Sequence, residues 1–95
     1  MFIAFLRFSV NKQQANEFMA RHNQWIASGL ADGVFLLVGS LQPRLGGAVV
    51  AHNTTREELE ARLLADPFVA HDVVTVELLE VSPAKSDLRL AFLLE

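Results

Sequence analysis

Cysteine is missing from the 95-residue chain. Disulfides, thiolate nucleophiles and cysteine-ligated zinc are excluded with it. Positive charge is also scarce. Eight Lys and Arg stand against eleven Asp and Glu, a net −3, so there is no basic footprint for nucleic acid. No apolar run is long enough to cross a bilayer. The opening Phe2-Ile-Ala-Phe-Leu6 is too short and too weakly flanked for a secretory signal, so no membrane partner and a cytoplasmic location are expected. Internal repeats and low-complexity segments are absent, and the length suits one small domain.

What the chain has in plenty is apolar surface: 52% of its residues are hydrophobic. A domain of this size buries only about 60–65% of the surface its unfolded chain exposes. The excess points to apolar surface reserved for a partner subunit.

Residues 2–10 read as a strand, with Phe2, Ala4, Leu6, Phe8 and Val10 on one apolar face. Asn11 is the expected N-cap of a helix running to about Ser28, with Gly29 as its stop and Asp32-Gly33 as a turn. Val34–Val38 forms a second strand, apolar on both faces. A breaker-rich loop, 39–47, separates it from a third strand at Ala48–Ala51, giving an antiparallel hairpin. Thr55 and Glu58 have capping-box spacing and start a second helix. Its buried side is Leu59, Leu63 and Leu64, and Asp66-Pro67 ends it. Val73–Val81 is the fourth strand. Residues 83–95 are a polar linker followed by an apolar tail, outside the domain formed by 1–82 and packed on it or on a partner.

The order is β-α-β-β-α-β, an α+β ferredoxin-like fold with a four-stranded antiparallel sheet and two helices on one face. A sheet face left to water should alternate apolar and polar. Strands two and three do not, so a homodimer that covers the bare face is expected.

On the first helix, Phe18, His22 and Ile26 share one apolar stripe. A ring among apolar side chains needs hydrogen-bond partners or bears a desolvation cost. Asp66 falls seven positions after Leu59 and three after Leu63, on the buried side of the second helix and at its C-terminus, where the macrodipole disfavours an anion. Each residue lacks what the other supplies. A carboxylate on one ring nitrogen fixes the tautomer and makes the other nitrogen a base suited to neutral pH. The same pair could equally do no more than tie two helices together.

Among other candidates, Arg44 has the planar fork for an oxyanion, and equally reads as a surface or interface arginine. Ser40 can hydrogen-bond a ligand or cap a turn. Trp25 borders the face of His22, able to stack on a ring or simply to pack, and Phe68 reads as packing. Gly46-Gly47 is turn geometry, since no helix follows to make a phosphate cradle. His52 and His71 lack a matching ligand pair, so no metal is expected.

The initial apolar strand, His22-Asn-Gln-Trp25, Pro43-Arg-Leu-Gly-Gly47 and Asp66-Pro-Phe68 together resemble the YciI-like (YCII-related) family over residues 1–82. The resemblance implies a dimeric α+β barrel with a histidine–aspartate pair, His22 and Asp66, as active site. It also implies kinship with a dehydrochlorinase of chlorinated hydroxyhydroquinones and an architecture like muconolactone isomerases. Where the family often has Ser-Gly-Pro before the hairpin loop, this chain has Val38-Gly39-Ser40, which alters the pocket rim. The expected function is a cofactor-free lyase- or isomerase-like enzyme, with His22 moving a proton on a cyclic or aromatic small molecule. The alternative is a homo-oligomeric binding or assembly module with a structural His–Asp pair.

Overall fold

The computed structural model describes residues 1–95. Strand β1 (Phe2–Phe8) leads through a single 3-10 turn (Lys12–Gln14) into helix α1 (Ala15–Ala31). Strands β2 (Phe35–Leu41) and β3 (Gly46–Ala51) form the hairpin. Helix α2 (Arg56–Leu64), a short helix α3 (Pro67–Ala70) and strand β4 (Val74–Glu80) follow, and a 3-10 helix (Leu88–Leu94) ends the chain. The strands lie in the order β2-β3-β1-β4, and every neighbouring pair is antiparallel. This is the α+β ferredoxin-like arrangement anticipated from the pattern of elements. No helix is long and apolar enough to cross a membrane.

Period-2 alternation sorts the strand residues onto two faces. Phe2, Ala4 and Leu6 of β1, Val49 and Ala51 of β3 and Val74 of β4 point under the helices and are buried. They meet Phe18 and Trp25 of α1, Leu59 and Leu63 of α2, and Phe68 of α3 in one core. Val10, expected on this face, lies beyond the strand end and is 79% exposed.

Three boundaries differ from expectation for identifiable reasons. Asn11 makes no cap to α1; its side-chain amide donates to the His71 carbonyl at 2.9 Å, pinning the β1–α1 connection to the end of α3. Gly29 does not stop α1 but lies inside it. A Cβ there would collide with the Phe35 ring, so the glycine lets β2 approach the helix. The stop is Gly33, at φ 73°. Gly33 N–H donates to Leu30 O and Val34 N–H to Gly29 O, each at 3.1 Å, the paired bonds of a Schellman ending. The hairpin strands also run further than apolar content suggested, leaving only residues 42–45 between them. Gly46 and Gly47 are strand residues, and Gly46 (φ 133°) sits where a Cβ would strike the Leu6 carbonyl. Thr55, in contrast, caps α2 as expected, accepting Glu58 N–H at 3.1 Å.

The other sheet face is apolar but open, with Leu37 63% and Leu79 45% exposed. The Arg7–Glu77 ion pair crosses it at 2.8 Å. The C-terminal 3-10 helix folds over one end of this face. It leaves a groove of about 660 Å³ between Leu90 and Leu93 above and Leu36, Leu37 and Val50 below. Phe92 packs edge-on to His52, with ring centroids 5.4 Å apart.

Candidate functional site

Helix α1 presents Met19, His22 and Ile26 toward the hairpin half of the sheet, as their i, i+3, i+7 spacing requires. Between them and the sheet lies a cavity of about 370 Å³, near the lower end of the ~300–1,000 Å³ usual for small-molecule sites. Leu6, Val38, Val49 and Phe8 wall it from the sheet side. Gly47 stands opposite Leu6 and Ser40 in the ladder. Having no side chain, it adds nothing to the lining beyond its backbone.

Asp66 does not end α2. That helix stops at Leu64 with Ala65 as its C-cap, and Asp66 is instead the N-cap of α3, in extended conformation. The physical reason is Pro67, which forces the preceding residue out of the helical region and itself suits the first turn of a new helix. As a cap, the Asp66 carboxylate accepts the Phe68 N–H on Oδ1 at 3.0 Å. The same oxygen lies 2.7 Å from His22 Nδ1. Asp66 is fully buried, and its Oδ2 is sealed from solvent with no hydrogen bond.

A carboxylate only accepts, so the ring proton belongs on Nδ1, and Nε2 keeps its lone pair. His22 lines the cavity and Asp66 stands behind the wall. Ring orientation is fixed a second time by stacking. Phe68 lies parallel to the imidazole, with centroids 3.9 Å apart and planes 3° off. One i+4 turn earlier, Phe18 stacks on His71 at 4.1 Å and 7°, so two Phe–His stacks join α1 to α3.

The remaining candidates divide. Trp25 lines the cavity, but its indole N–H is occupied by the Arg62 carbonyl at 2.8 Å and its ring meets the Phe35 ring edge-on at 5.0 Å. It is an anchored wall. Ser40 lies at the exposed rim, and Arg44 (φ 53°) sits on the hairpin turn outside the lining. His52 and His71 are apart, and no three His, Asp or Glu side chains gather. Asn23, at the rim beside His22, received no role in the sequence, although its place in His22-Asn-Gln-Trp25 put it next to the ring. Met19 and Ile26, also given no role at a cavity, were legible on the helix face of His22 from their i−3 and i+4 spacing. Val38 and Gly47 were not, because their proximity depends on sheet register.

No curated protein matches the chain. Among solved structures, it is similar to a 5-chloro-2-hydroxyhydroquinone dehydrochlorinase (TftG) from Burkholderia phenoliruptrix AC1100, in complex with 2,5-dihydroxybenzoquinone. The two share a TM-score of 0.69 and 13% identity over 85% of this chain and 93% of that one, a likeness of fold. The YCII-related domain matches residues 1–83. The chain belongs to the YCII-related family.

Proposed function

We propose that this protein is a small enzyme that moves a proton on a cyclic or aromatic small molecule, with His22 as the acid–base group and Asp66 orienting it. The observation that carries this reading is the 2.7 Å contact between His22 Nδ1 and a fully buried Asp66 oxygen at the wall of a cavity. Imidazole titrates near neutrality, and a carboxylate on one nitrogen stabilises the imidazolium formed at the other. Removal of a proton next to a carbonyl, or from a ring hydroxyl, leads to elimination or isomerisation. Hydrolysis through a covalent intermediate needs an activated nucleophile beside the base. Ser40 is the one hydroxyl of the lining, and it stands at the exposed rim. A ring-sized cavity with mainly apolar walls supports a cyclic ligand. The quinone bound by the dehydrochlorinase of the same fold supports it further. Ser40 and the Trp25 wall contribute contacts to that ligand. Arg44 stands on the hairpin turn, outside the lining. The chemistry asks for no cofactor. The apolar open face pairs two copies into a homodimer.

A second reading, a binding or assembly module with a structural pair, has one observation in its favour: Asp66 Oδ1 also caps α3. His22→Asn separates the two. For the enzyme, turnover of a converted ring substrate falls by about 10²–10⁴, while the melting temperature stays within a few degrees. For the structural pair, the melting temperature drops and no turnover exists to lose. Thermal shift against phenols, quinones and lactones finds the ligand to use.

A further inference from the structure

Resting on His22 as the proton acceptor, we infer that the cavity takes up its ligand as the neutral, still-protonated acid and rejects the conjugate base. The lining holds three polar side chains, His22, Asn23 and Ser40, and no lysine or arginine. Behind the wall stands the Asp66 carboxylate, with one oxygen bare and solvent excluded. An anion entering this space would leave water for an apolar wall. It would also meet a buried like charge that little solvent screens.

The cations of the surrounding elements are turned to other work. Lys12 lies over the Phe8 ring at 5.0 Å and Arg21 over the Phe18 ring at 5.5 Å, and neither joins the lining. Arg62 is bound to Asp32 at 2.8 Å. Arg7 is on the opposite sheet face with Glu77, and Arg44 is on the turn. His71 is spent on Phe18. Beside His22, the charged group in direct contact is Asp66.

A neutral ring hydroxyl meets none of these obstacles. Once bound, its O–H bond breaks, its proton forms an N–H bond at His22 Nε2, and the electron pair stays on the ring oxygen. The imidazolium then lies between two negative groups, the ring oxygen and Asp66. The positive charge that the cavity lacks is made by the transfer itself. Ionisation of the ligand in solution removes the proton this step uses.

The test titrates the intact protein with two probes, 4-nitrophenol, which ionises near neutrality, and phenol, which ionises near ~10 as the tyrosine side chain does. Quenching of Trp25 fluorescence reads binding, since Trp25 is the chain's one tryptophan and a cavity wall. As the pH rises from neutrality toward ~9, the dissociation constant of 4-nitrophenol is expected to climb about tenfold per pH unit above its own ionisation, while that of phenol stays flat. Affinity for 4-nitrophenol that holds or strengthens as it ionises overturns this inference and leaves the proposed function standing. Failure of both probes to quench Trp25 at any pH overturns the ring-ligand reading, and this inference with it.

Discussion

Both faces of the sheet carry large apolar side chains, and their fates are opposite. Under the helices, Leu6 is 3% and Val49 2% exposed; on the other side Leu37 is 63% and Leu79 45% exposed. The closed face is packed tightly enough to hold a carboxylate out of water and aim a ring with it. The open face is met by one loosely seated tail that leaves a groove. Hydrophobic side chains alone therefore make neither a core nor a site. Opposing elements must fill the space with matched shape, and at the cavity Gly47 adds no side chain to fill it.

Substitutions can break or sharpen this contrast. The largest effect belongs to the closed face. Leu59→Ala, at a residue 1% exposed, is expected to cost about 2–5 kcal/mol in urea unfolding. Leu37→Ala on the open face should stay within about 0.5 kcal/mol under conditions where the protein is monomeric. Next is Asp66→Ala, which strips the cap from α3 and the partner from His22. A loss of about 1–3 kcal/mol is expected by the same measurement. Leu37→Lys should leave unfolding of the monomer nearly unchanged yet weaken self-association at least about tenfold, near 1.4 kcal/mol, in sedimentation equilibrium. Unchanged association would remove the open face as the dimer surface.

The smallest effect is at the tail. The Arg89 side chain, and then its backbone N–H, hold the Asp87 carboxyl below its ordinary 3.8. A carboxyl lowered on folding stabilises above its unfolded value, and that contribution disappears as the pH falls through the folded one. Protection of the Arg89 amide, its exchange rate relative to the unprotected chain, is therefore expected to fall only as the pH drops below 3.8, and Asp87→Asn should abolish that dependence.

The order of elements and the topology were legible in the sequence because period-2 strands, the Thr55 cap and short connections constrain them. The partnership of His22 with Asp66 was legible too, from two polar residues each stranded on an apolar helix side. The place of Asp66 was legible only in part. Its expected place at the end of α2 missed α3, since four helical residues are too few to show a period. The Asn11 side chain went elsewhere because its carbonyl partner lies 60 residues away. Gly29 resembles a helix stop in the sequence because a glycine required by close packing looks the same in one dimension as a glycine required by φ. Cavity walls from the hairpin were hidden because register is a property of pairs of strands.

One oxygen of Asp66 answers to two masters, the first turn of α3 and the ring of His22. The consequence concerns descent. In a lineage that does not need the proposed reaction, position 22 can drift, whereas an acid at position 66 is still demanded by the backbone it holds. Relatives that have lost the histidine but kept the aspartate should therefore outnumber those with the reverse loss, and a sequence survey of the family would count them.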